Sequence, residues 1–93
     1  MNIDELDIKV LKENFDDELI KKIDINNVAS INKYLFDNGI YYSKDLFLLY
    51  LDLFLMNKDE FVKRFEKLKQ KLSENYVDKL GEDLSLMDVM YED

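Results

Sequence analysis

Residues 46–56 read L-F-L-L-Y-L-D-L-F-L-M, and Asp52 is the single charge among them. No other stretch is as apolar, so the fold must be built to cover this one. A transmembrane helix needs about 18 to 20 apolar residues. This run is shorter, with Lys44 and Asp45 before it and Asn57 to Glu60 behind. A buried strand is an alternative, because periodicity alone does not separate short apolar runs. The residue types favour a helix: Leu dominates, with a Met and no β-branched residue. Ser43 is an N-cap residue type and Asn57 a stop, which gives a helix over 44–56. At about 100° per residue, Asp45 and Asp52 share one narrow sector. The rest of the wheel is apolar and must meet protein. Asp52 is expected on the solvent sector, since an unpaired buried charge is costly; the sharper alternative is a buried polar group that fixes specificity or sits in a site.

The flanking segments supply the cover. Asn57-Lys58-Asp59-Glu60 has the form of a capping box, and Phe61, Phe65, Leu68 and Leu72 follow as one stripe of a helix over 58–72. Val28, Ile31, Tyr34 and Leu35 line a helix over 28–38, capped by Asn26 or Asn27. Asn38-Gly39 ends it, with Gly39 left-handed and Ile40 making the hydrophobic contact. Ile3, Leu6, Val10 and Ile8, Leu11, Phe15 recur at helical spacings in a first helix with Asn2 as its cap. Asp16 caps a short second one. Ser73 restarts a helix through Tyr76, Val77 and Leu80 that Gly81 stops, and Asp83-Leu84-Ser85-Leu86-Met87 leads to Val89, Met90 and Tyr91 in a short last helix. The expectation is a single all-α domain over 1–93, a compact bundle of about five or six short helices around the central one.

Composition narrows the chemistry. The 93 residues contain no Cys, His or Pro and two Gly. Without thiol or imidazole there are no disulfides, no usual zinc sites, no Ser-His-Asp triad and no imidazole acid–base catalysis. No cofactor or metal is expected; Asp16-Asp17-Glu18 lacks the spacing of a calcium loop. The acidic start, M-N-I-D-E-L-D, has no basic n-region before an apolar core, so a cytoplasmic location is expected. Abundant Asn, Ile, Lys and Tyr, with AT-rich codons, hint at an AT-rich bacterium or its phages and mobile elements.

A short echo runs through the second half. Asp52-Leu53-Phe54-Leu55-Met56 recurs as Asp83-Leu84-Ser85-Leu86-Met87, an offset in the range of stacked helical repeats. With Leu35, Gly39, Ile40, Leu53, Leu55 and Phe61, the segment 28–90 loosely resembles helical repeats of the mitochondrial transcription termination factor type. That resemblance implies two stacked helical units. The chain departs from it in having no Pro, in having Ser73-Glu74 where the second repeat has a Gly turn, and in its acidity. No functional residue is carried over.

Net charge is −8, against the cationic surface that a phosphate binder needs. Acidity suits a larger protein partner with a basic surface, because complementary charge speeds encounter; it also keeps a chain soluble. The expected function is therefore protein binding rather than catalysis. In size and acidity the chain resembles phage or mobile-element inhibitors of the anti-CRISPR and anti-restriction kind. Candidate partner-binding residues are Asp16, Asp17, Glu18, Tyr41, Tyr42, Glu82, Asp83 and Asp88; the two loop tyrosines read first as anchors packed onto the central helix and, alternatively, as an interface hot spot. Two alternatives stand beside this. Lys63, Arg64, Lys67 and Lys71 would serve a nucleic-acid-binding helical repeat, and the apolar surface around Leu48, Leu51 and Leu55 would serve a homodimer or larger homo-oligomer.

Overall fold

The computed structural model describes residues 3–92, and among these every regular element is helical. In chain order they are α1 (Glu5–Asn14), α2 (Asp17–Lys21), α3 (Ile25–Asp37), α4 (Ser43–Leu49), α5 (Leu51–Phe54), α6 (Lys58–Leu72) and α7 (Tyr76–Glu82). A 3-10 turn (Ser73–Asn75) joins α6 to α7, and a 3-10 segment (Leu84–Tyr91) follows α7. The architecture is an all-α bundle, as expected.

The central run departs from the expected single rod. It breaks at Tyr50 (φ −130°, ψ 48°) into α4 and α5. No Gly or Pro marks the break. As a continuous helix, 44–56 would run about 20 Å past its neighbours. Bent, its two halves both pack on α3, while α4 also meets α1 and α5 meets α6. The far end is tied down by Asn27, whose side-chain amide donates to the carbonyls of Phe54 (3.3 Å) and Met56 (2.8 Å). Leu46, Phe47, Leu51, Leu53 and Phe54 are fully buried. Leu48 and Leu55 are half-buried and Leu49 is exposed, so the bundle covers most of the apolar excess that pointed to a homo-oligomer.

The core is an aromatic ladder. Phe47 meets Phe54 edge-on (5.4 Å between centroids), Phe54 meets Phe61 (5.5 Å), and Phe61 stacks on Phe65 (5.9 Å), with Tyr34 edge-on to the last two. Phe61, Phe65 and Leu68 are the expected stripe of α6, and Val28, Ile31 and Leu35 that of α3. Leu11 anchors α1, but Leu6 points outward at 73% exposure.

The caps show where local reading holds. After α3, Gly39 is left-handed (φ 85°). Its amide donates to Phe36 and that of Ile40 to Leu35, with Ile40 buried: the complete Schellman motif. Asn57 caps α6 through the Asp59 amide (2.8 Å), whereas Glu60 turns to Arg64 and leaves the box half-made. Asp24, not Asn26 or Asn27, caps α3. Asn2, the expected cap of α1, lies outside the described residues; Asp4 and Asp7 form a reciprocal box there. Ser43 is the first residue of α4, and its hydroxyl bonds Asn32. Ser73 ends α6 with φ 67° instead of capping a new helix. Gly81 does not stop α7, which runs through it to Glu82. There it leaves room for the Tyr42 ring, 3.2 Å from where a Cβ would sit.

Candidate functional site

The expected site residues separate into three groups. Asp16, Asp17 and Glu18 are exposed around the start of α2, and Asp16 makes no side-chain cap bond there. Tyr41 is 81% exposed, but Tyr42 is buried. The Tyr42 hydroxyl donates to the Val77 carbonyl at 2.6 Å, and burial pushes its pKa up to about 12. Tyr42 is thus a packed core residue, the first of its two readings, and is set aside as a partner contact, with Tyr41 resting edge-on against it. Glu82, Asp83 and Asp88 are exposed at the end of α7 and along the 3-10 segment.

This third group is joined by residues from the central run. Tyr91 donates its hydroxyl to Asp52 Oδ2 at 2.7 Å. The Tyr50 hydroxyl is raised above its ordinary pKa by burial first, and then by Asp88, Asp83 and Asp52. Tyr91 is raised too, by burial, then by its bond to Asp52, with Tyr50 and Asp88 adding. Three carboxylates and two phenols therefore come near one another where Tyr50 and the first turn of α5 meet residues 83–91. Among the described residues no Lys or Arg pairs with Asp52, Asp83 or Asp88. Nor do any three acidic side chains there converge closely enough to hold a metal ion. The face is a spread of negative charge with aromatic edges, suited to cationic side chains rather than to chelation.

Asp52 is expected first as a solvent carboxylate, with a place in a site as the sharper alternative, and Tyr50 and Tyr91 are not singled out by the sequence. The signal that could have found them is the D-L-x-L-M echo, whose two aspartates both lie near enough to Tyr50 to act on it. The two copies differ in backbone role, since Asp52 sits in the first turn of α5 while Asp83 caps the 3-10 segment through Ser85 N.

The opposite sign gathers on α6. Lys63, Arg64 and Lys67 line a groove with Glu60 and Glu92. A second depression, of about 220 Å³, lies over Ser30, Lys33, Tyr34, Asp37 and Lys58; Lys33 is paired there with Asp37 and the Tyr34 hydroxyl is given to Glu66. Among the described residues no helix is long and apolar enough to cross a membrane. No family model matches the chain, and neither does any curated protein or solved structure.

Proposed function

We propose that this chain is a small protein-binding module that docks through its acidic face on a basic surface of a larger protein. In its sharper form it is an inhibitor or regulator of a nucleic-acid-handling enzyme, of the anti-CRISPR-like phage or mobile-element type. The observation that carries this reading is the Asp52–Asp83–Asp88 face with Tyr50 and Tyr91. Its carboxylates are exposed and lack cationic partners within the described chain. A Lys or Arg brought to them gains charge-assisted hydrogen bonds, and the phenol rings offer flat apolar contact beside them. The same charge steers encounter and makes association salt-sensitive.

The test begins with capture of partners from the source lysate, with and without nuclease, read by mass spectrometry. A nucleic-acid enzyme recovered in both conditions is the expected result. Its association rate is then measured for the wild type and for Asp83→Asn combined with Asp88→Lys, the Asn keeping the 3-10 cap. The variant should associate about tenfold more slowly and lose much of its salt dependence. Unchanged rates in this variant and in a reversal of Asp16, Asp17 and Glu18 would sink the electrostatic reading.

A further inference from the structure

The cationic stripe of α6 borders a groove of roughly 200 Å³, and the carbonyls of residues 90 and 92 already lie against one side of it. Arg64 Nη1 donates to the carbonyls of Met90 (2.8 Å) and Glu92 (3.2 Å). Lys71 Nζ pairs with the Glu92 carboxylate at 2.9 Å, where the backbone is extended (φ −79°, ψ 142°). The chain therefore displays, against its own helix, how α6 holds an acidic residue at the end of a 3-10 segment: the Glu92 carboxylate on lysine, the Met90 and Glu92 carbonyls on guanidinium. One and two turns nearer the start of α6, Lys67 and Lys63 face the same groove. Both are exposed, and neither has a carboxylate partner among the described residues.

We propose that this groove is a docking site for an acidic peptide segment of a partner protein. The segment places two carboxylates on Lys63 and Lys67 and runs beside residues 90–92. A peptide fits better than a nucleic acid for two reasons. A strand of continuous phosphates meets the repulsion of a chain of net charge −8. It would also press charge onto Glu60 and Glu92 in the groove walls. An acidic peptide can alternate, with carboxylates at the lysines and neutral residues opposite the glutamates.

The test is an NMR titration of the nitrogen-labelled full chain with a short peptide of alternating Glu and Ser at low salt, repeated with a single-stranded oligonucleotide. The expected result is saturable shifts at residues 60–67 and 90–92, with the peptide favoured over the oligonucleotide. Lys63→Glu combined with Lys67→Glu, both exposed and checked for an unchanged helical spectrum, should weaken peptide binding about tenfold or more. Absent or unfocused shifts, equal affinity in the variant, or preference for the oligonucleotide would each overturn the proposal. The substitutions leave Asp52, Asp83 and Asp88 in place, so this result and that for the acidic face are independent.

Discussion

Ser73 and Gly39 hold the two left-handed backbones of the described chain, at φ 67° and 85°, and they carry opposite predictions. Ser73 has ψ −153°, a region that only glycine occupies without strain. Ser73→Gly should therefore stabilise the fold by about 1 kcal/mol, although glycine loosens the unfolded chain. Gly39→Ala should cost about 1 to 2 kcal/mol; an added Cβ meets only Val77, at an ordinary 3.4 Å, so the cost is backbone. Urea midpoints at constant m-value check both. Asp7 supplies a pH dependence. Lys44, 2.6 Å away, followed by the Asp4 amide, holds its carboxyl below the usual range. Glu66 is lowered likewise by Tyr34 and Lys69. Groups with depressed folded pKa values stabilise above the unfolded value, and that stability is lost as pH falls through the folded one. The loss should thus fall below about pH 4, and Lys44→Met should shrink it in an acid titration followed by circular dichroism.

Among the elements, the Tyr50 break shows why local reading was partial. Apolar spacing placed α3 and α6 within a few residues, because each buries one stripe against the same core. It could not place the break, because nothing in L-L-Y-L-D is a breaker. The bend comes from what α3 and α6 require of their neighbour, and from an amide distant in sequence. Asn27 read as a cap for the helix it belongs to; its amide instead closes the end of α5. Asn27→Ala removes a donor from two carbonyls and should cost about 1 to 3 kcal/mol. Helix propensity alone would make the alanine variant slightly more stable, by a few tenths, so a thermal melt separates the two by the sign of the change. The acidic face was half legible for the same reason. Asp83 and Asp88 were visible as charge, whereas Asp52, Tyr50 and Tyr91 join them only through the bend.

For the molecule as a whole, stability is concentrated in the phenylalanine ladder. Phe61 touches rings from α3, α5 and its own helix, and it is fully buried. Phe61→Ala should cost about 3 to 5 kcal/mol, a large part of the 5 to 15 kcal/mol that domains of this kind possess. Denaturant unfolding should show that variant partly unfolded at 37 °C. The margins of the fold are held differently. The 3-10 segment inserts Met87 and Met90 into the core, yet its helix type is rarely sustained beyond three or four residues. It is fastened by Tyr91 to Asp52 on one edge and by Arg64 and Lys71 on the other. Its amide protons should therefore exchange with solvent deuterium well before those of α3 and α6. The molecule would breathe at this edge first, and the methionine sulfurs beneath would be the first core atoms that an oxidant in the surrounding water could reach.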